Sequence, residues 1–245
     1  MPDFSDIKAI IFDYGGTLDT GGVHWAYVLL DGFRHAGIPV GEDGFRQAYV
    51  FAERRLAAER IILPADNFRQ LLLKKTDIET RRLVDTGFWR ADETDRKAKA
   101  AAVADYCYLF AKRTVNESKL TLNALRRRYP LVLVTNFYGN MCSVLKDFGL
   151  NCFCAVVESA VVGVRKPDPA IFRRGIEALA CPAAQVLAVG DSFEKDILPA
   201  RAVGCRTVWL KGREWEPKER DTSATDAIIT ALPQLLCLPG LDKKE

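Results

Sequence analysis

The sequence predicts an α/β protein: a doubly wound parallel sheet with a helical segment inserted after its first strand. Three observations carry that expectation. Short apolar runs at 9–12, 131–134, 154–157, 186–189, 206–210 and 226–229 recur down the chain, and helical patterns separate most of them. Strands alternating with helices build parallel sheets through right-handed crossovers. Residues 25–113 show only helical spacing. Finally, three of the runs deliver a polar side chain at their carboxyl ends, Asp13, Thr135 and Asp191, where open α/β sheets gather their ligands.

In chain order, the first run, 9–12, is a buried strand that hands Asp13 to the turn Tyr14-Gly15-Gly16-Thr17. A carboxylate at such a position is costly unless it finds partners elsewhere. The stretch from Asp19 to His24 is rich in turn formers. Leu29, Leu30, Phe33 and Ala36 then share a helix face that Gly37 and Pro39 end, and Phe45, Ala48, Tyr49 and Ala52 repeat it. The pattern continues through 56–63 and 68–73 up to Thr76-Asp77, and another helix spans 92–112. A separate helix over 115–128 leads through Tyr129-Pro130 into a strand closed by Thr135-Asn136. The next helix runs to Phe148 and stops at Gly149.

Beyond the strand at 154–158, Pro167 biases Lys166 away from the α region, in a loop before a helix with Ile171, Phe172, Ile176 and Leu179 on its buried face. The strand 186–189 delivers Gly190-Asp191-Ser192 through Asp196, where Ser192 is a natural N-cap and Pro199 is placed to kink the helix that follows. Two further strands and a closing helix or tail at 232–238 complete the chain.

At 245 residues and 49% hydrophobic composition the chain can bury one large core, or a core with an insertion. Its net charge of +3 comes from bases interleaved with acids, which gives no case for nucleic acid. The first residues lack a basic and apolar leader, and no run approaches membrane-spanning length. The expectation is a cytoplasmic protein without a membrane partner; nothing fixes an oligomeric state. Seven cysteines without a C-x-x-C pair read as reduced and mostly buried thiols.

Asp13-Tyr14-Gly15-Gly16-Thr17, Thr135-Asn136, Lys166-Pro167-Asp168-Pro169 and Gly190-Asp191-Ser192 through Asp196 together resemble the haloacid dehalogenase superfamily, in that family's order. The resemblance covers 1–19 and about 114–238. It implies a Rossmann-like core domain over 1–19 and 114–245, and a helical cap domain over 20–113 that closes on the site and selects substrate.

It also implies a Mg²⁺-dependent phosphatase acting on a small phosphorylated metabolite. Asp13 would be the nucleophile, with Thr135 and Lys166 as catalytic partners. Metal ligands would be Asp13, the Gly15 carbonyl, Asp191 and Asp196; substrate contacts would be Gly16, Thr17 and Asn136.

One position departs from the family pattern. Phosphatases of the family mostly carry a second aspartate, the general acid and base, where this chain has Gly15. Such proton transfer is typically worth ~10²–10⁴-fold, so slow turnover or a preference for good leaving groups is expected. Asp19 and His24 are the nearest substitutes in sequence, and a structural role is the more probable reading of each. Two competing functions follow from the same departure. One is a phosphonate hydrolase using a cap lysine, for which Lys74 and Lys75 are available; the other is a phosphate- or partner-binding protein on the same scaffold. Dehalogenation fits less well, because Gly190-Asp191 preserves a metal site that dehalogenases do not use. The cap cations Arg54, Arg55, Arg60, Arg69, Lys74, Lys75, Arg81 and Arg82 are expected to lie mostly on solvated faces paired with acids, leaving one or two for an anionic substrate.

Overall fold

The computed structural model describes residues 2–241. Six parallel strands, β1 (Ala9–Phe12), β2 (Leu131–Thr135), β3 (Ala155–Glu158), β4 (Val186–Gly190), β5 (Arg206–Leu210) and β6 (Ala227–Ile229), form one sheet in the order β3-β2-β1-β4-β5-β6. The order reverses between β1 and β4, so Asp13 and Asp191 emerge side by side at the switch point. A crevice opens there between diverging connections. Successive side chains alternate between faces. Ile10, Phe12, Leu131 and Leu133 join the large core, while Ala9, Ile11, Val132 and Val134 pack on the other side. Burial on both faces explains why these strands read as unbroken apolar runs.

Four helices are inserted between β1 and β2: α1 (Trp25–His35), α2 (Glu42–Ala58), α3 (Phe68–Asp85) and α4 (Glu93–Leu125). α3 runs past Thr76-Asp77, where the sequence pattern fades, because its hydroxyls are satisfied: Thr76 Oγ1 donates to the Ala100 carbonyl at 2.9 Å and Thr80 Oγ1 to that of Thr76 at 2.7 Å. The two helices expected at 92–112 and 115–128 are one helix of 33 residues. No Gly or Pro interrupts residues 112–116, and its N-terminus is capped by Asp92, which accepts from Asp95 N–H. The expected seam at 113/114 therefore lies inside α4. The helix packs α1 and α3 with its first half and buries Val115, Leu122 and Leu125 with its second.

Beyond β2, α5 (Met141–Phe148) ends at Gly149 with φ 63°. The short α6 (Ser159–Val162) follows β3, and α7 (Ala170–Leu179) leads on toward β4. After β4, residues 193–197 form one wide π turn, and α8 (Leu198–Ala202) continues from it. Pro199 causes no kink, because it sits in the first turn of α8, where a missing N–H costs nothing. Residues 232–237 close the chain as a 3₁₀ turn.

The thiols depart from expectation. Cys107 and Cys205 are buried, but Cys142, Cys154 and Cys237 are exposed. Flanking apolar residues do not reveal this exposure.

Candidate active site

The site is assembled from four loops at the carboxyl ends of β1, β2 and β4 and before α7. Asp13 is 7% exposed, and Lys166, 3% exposed, reaches it across 153 residues of sequence. The Lys166 ammonium donates to Asp13 Oδ1 at 2.5 Å and to Asp196 Oδ1 at 2.6 Å. The other Asp196 oxygen accepts from Ser192 N–H at 3.0 Å. Asp196 therefore anchors Lys166 as well as completing the acidic cluster. Asp191 lies on the far side of Asp13, tied through Thr17.

Two glycines permit this crowding. A Cβ at Gly190 would come within 2.4 Å of the Asp196 side chain, and one at Gly16, where φ is +94°, within 2.5 Å of the Asp191 carboxylate. Gly15 is different: a Cβ there meets nothing within 4 Å. The place where the family's second aspartate would stand is open space, and the backbone has an ordinary φ.

Three expected substrate contacts are occupied instead with the protein. The Thr17 hydroxyl lies 3.1 Å from Asp13 Oδ2 and 3.0 Å from Asp191 Oδ1 and accepts from Asp191 N–H. It holds the two acids in register, and its single proton serves one of them at a time. Gly16 N–H donates to Asp19 Oδ1 at 2.7 Å. Asn136 spends both ends of its amide on Lys166, accepting from its N–H at 2.8 Å and donating to its carbonyl at 3.0 Å. Asn136 is thus a positioning residue for the lysine. Thr135 keeps its expected place at the end of β2, 1% exposed.

Asp19 and His24 are both placed away from a proton-donor role. Asp19 is wholly buried, and its second oxygen accepts from the Trp25 indole N–H at 3.0 Å. Burial pushes its carboxyl up to about 8 despite these donors, but both oxygens are committed to structure. His24 Nδ1 accepts from Ala26 N–H and caps α1, and its ring packs 5.3 Å from that of Trp215. Burial, reinforced by Lys195, lowers it to about 4, so the imidazole is neutral near pH 7.

The charge balance of the cluster points to a cation. Oxygens of Asp13, Asp191 and Asp196 lie within 4.8 Å of one another, and Lys166 is the one ammonium among them. Burial raises Asp13 to about 6, against the pull of Lys166; burial and the two neighbouring carboxylates raise Asp191 further. Burial works against the Lys166 ammonium, but Asp13 and Asp196 outweigh it and raise its pKa above the usual lysine range. A set of hard carboxylate oxygens with excess negative charge suits Mg²⁺, which also keeps waters and binds phosphate oxygens. The residues present fit that ion.

The cap cations are nearly all accounted for. Arg55 pairs with Glu59, Arg69 with Asp105, Arg81 with Glu93 and Lys74 with Asp66, and Arg54 and Arg60 are exposed. Sequence reasoning missed a polar group at the underside of the cap. Lys75 is buried in an ion pair with Glu53, and Glu53 also accepts from the Tyr138 hydroxyl at 3.3 Å. Tyr138 stands three residues beyond Thr135, so this bond joins the cap to the loop that follows β2 in the core. The available signal was weak: a Glu and a Lys on successive helices, each indistinguishable from a surface residue.

A doubly wound sheet with a nucleophile-placed aspartate, a buried lysine and a carboxylate cluster at its switch point defines a class of hydrolytic scaffolds with an inserted helical cap. The sequence model of the haloacid dehalogenase-like hydrolases matches residues 7–204, and the chain belongs to that family. It is 32% identical over 144 residues to haloacid dehalogenase-like hydrolase domain-containing protein 3 of Mus musculus, covering 58% of this chain and 57% of that protein. The phosphoglycolate phosphatase of Neisseria gonorrhoeae is 35% identical over 111 residues, covering 43% of this chain and 47% of its own. The match thus spans about half the length of these relatives. Among solved structures, the HAD hydrolase YfnB of Bacillus subtilis, bound to magnesium, superposes with a TM-score of 0.59 at 18% identity, covering 94% of this chain and 97% of that one. That likeness is one of fold. Among the described residues no helix is long and apolar enough to cross a membrane.

Proposed function

We propose that the protein is a Mg²⁺-dependent phosphatase of small phosphorylated metabolites, working through a phosphorylated Asp13. The observation that carries the reading is the buried arrangement of Asp13 between Lys166 and the Asp191 carboxylate at the sheet's switch point. Phosphatases recur among its relatives, in Neisseria gonorrhoeae and in Thermus thermophilus, which supports the same choice.

In this reading Asp13 attacks phosphorus, the P–O bond to the leaving group breaks, and the alkoxide departs with that electron pair. Lys166 and Thr135 face the transferring group: the ammonium offsets its charge and the hydroxyl donates to a phosphoryl oxygen. Asp13, Asp191 and the Gly15 carbonyl would hold Mg²⁺, which supplies positive charge for the phosphoryl oxygens and keeps the carboxylates ionised. Asp196 steadies Lys166. Water then attacks the acyl phosphate, releasing inorganic phosphate and restoring the Asp13 carboxylate. With Gly15 bearing no acid, and Asp19 and His24 committed elsewhere, the departing oxygen takes its proton from solvent. Esters with acidic leaving groups are therefore turned over fastest.

Lys75 is a poor Schiff-base nucleophile: burial alone would depress its pKa, but Glu53 outweighs this and drives it well above its ordinary value. Lys74 is tied to Asp66 and to the Ile61 carbonyl. Phosphonate cleavage through a cap lysine has no support at either position. The test is phosphate release from aryl, acyl and alkyl phosphates with Mg²⁺ and with EDTA. Metal-dependent release that an Asp13→Asn variant lacks supports the proposal; no release from folded protein sinks it.

A further inference from the structure

The cap's underside presents an acceptor to the cleft. Glu53, on α2, keeps 36% exposure of its side chain, against 7% for Lys75, its partner on α3. Burial alone would raise Glu53, but Lys75 and the Tyr138 hydroxyl outweigh it and hold the carboxyl below its ordinary range. Lys75 has little left to offer a ligand. Its ammonium is taken by Glu53 and sits 4.8 Å over the Tyr49 ring. Behind it lies Glu79, wholly buried, whose two oxygens have no hydrogen-bond partner among the described residues.

This group faces the catalytic loops. Tyr138 lies two residues beyond Asn136 on the loop that leaves Thr135, and the ring of the intervening Phe137 packs edge-on against Tyr14, the neighbour of Asp13, at 5.8 Å. His24 and Lys195, on the two loops that carry Asp13 and Asp196, lie within electrostatic range of Glu53. Lys195 is exposed at the core side of the cleft, and it is the cation that a carboxylated ligand would have to use. On the cap side, the partly exposed charge bonded to Tyr138 is negative.

Resting on the phosphatase reading, we infer that Glu53 is a specificity-determining residue: it accepts a hydrogen bond from a hydroxyl or ammonium of the leaving group, and the site disfavours leaving groups that carry a carboxylate. A carboxylate would face the Glu53 carboxylate, whose neighbouring cap cation Lys75 is already paired with it, whereas a hydroxyl or amine finds an ionised acceptor with unused lone pairs. The cationic composition of the cap thus misleads, because Lys75, the cap cation beside Tyr138 and the core loops, is already neutralised by Glu53.

The experiment compares glycerol 3-phosphate and phosphoethanolamine with 2-phosphoglycolate, by kcat/KM for the wild type and by calorimetric affinity for an Asp13→Asn protein with Mg²⁺. Both donor-bearing esters are expected to exceed phosphoglycolate by about tenfold or more, the worth of one hydrogen bond to a charged acceptor. Glu53→Gln should reduce that ratio by about the same factor. A difference between the hydroxyl and ammonium esters tells which donor the site prefers. Equal or better use of phosphoglycolate overturns the inference and assigns recognition to Lys195. If turnover is absent but the affinity ratio holds, the phosphatase reading falls and the Glu53 subsite stands. Should Glu53→Gln fail to fold, the wild-type ratios alone decide.

Discussion

The core and the cap each hold a buried lysine among carboxylates, and they resolve the charge in opposite ways. In the core, Lys166 is shared by Asp13 and Asp196, and Asp191 is left as a third acid with its pKa driven upward by burial and by its neighbours. In the cap, Lys75 pairs with Glu53, and Glu79 behind it has no hydrogen-bond partner among the described residues; burial raises Glu79 to about 8, so that it is mostly protonated at neutral pH. One cluster keeps an excess of carboxylate that suits an additional cation; the other is balanced by a proton. A surplus of carboxylate oxygens converging on one point distinguishes a metal site from a structural polar core, and a count of acids in the sequence does not.

Substitutions can break this contrast, the largest effect first. If the proposed reaction holds, Asp13→Asn should reduce phosphate release by at least about 10³-fold, measured by single-turnover assay, since in that reaction the Asp13 carboxylate is the group that attacks. Replacing Lys166 by Met leaves Asp13 and Asp196 as unpaired buried charges, and a loss of ~3–5 kcal/mol in denaturant unfolding is expected in EDTA. A smaller loss with Mg²⁺ present would show the dication standing in for the ammonium. Gly15→Asp should raise turnover of alkyl phosphates by roughly 10²-fold and of aryl phosphates far less, because only the poorer leaving group needs the proton. The open space at Gly15 accommodates the new side chain.

The remaining tests are thermodynamic. Magnesium at a hundredfold excess over its Kd should stabilise the core by about 2.7 kcal/mol, roughly 5–10 °C in Tm, and Asp191→Asn should abolish the shift. In the cap, Glu79 rises from 4.5 to about 8 on folding, so the folded state binds its proton more tightly than the unfolded chain. The stability this contributes is complete below pH 4.5 and is lost as pH rises through about 8. Glu79→Gln should therefore stabilise the protein at pH 8 relative to pH 5, by about 1–3 kcal/mol. Equal effects at the two pH values would place the Glu79 proton elsewhere.

Much of this architecture was legible in the residues. Apolar runs of four or five can become strands buried on both faces, and β1, β2 and β4 did so with Asp13, Thr135 and Asp191 at their ends. Reading α4 as two helices failed because a polar stretch such as Thr114 to Lys119 says nothing about continuity when no Gly or Pro marks a break. Asn136, Gly16 and Thr17 stood at the right positions for substrate contacts, yet their hydrogen bonds go to Lys166, Asp19 and the paired acids. Position along the chain identifies a neighbourhood, and the direction of a side chain depends on partners brought from elsewhere.

By itself the sequence determined the sheet, the insertion after β1 and the identity of the acids and the lysine at the switch point. These follow from local chemistry: apolar periodicity, turn residues and the order of short motifs. Only the tertiary structure decided which of those groups touch. It set Lys166 between Asp13 and Asp196, left Gly15 facing open space, and joined the cap pair of Lys75 and Glu53 to Tyr138 of the core. The reason is physical: a charge is described by its residue type, but its field depends on distance and burial, and both are set by distant segments, such as those carrying Thr17 and Asp191, 174 residues apart, meeting at one point.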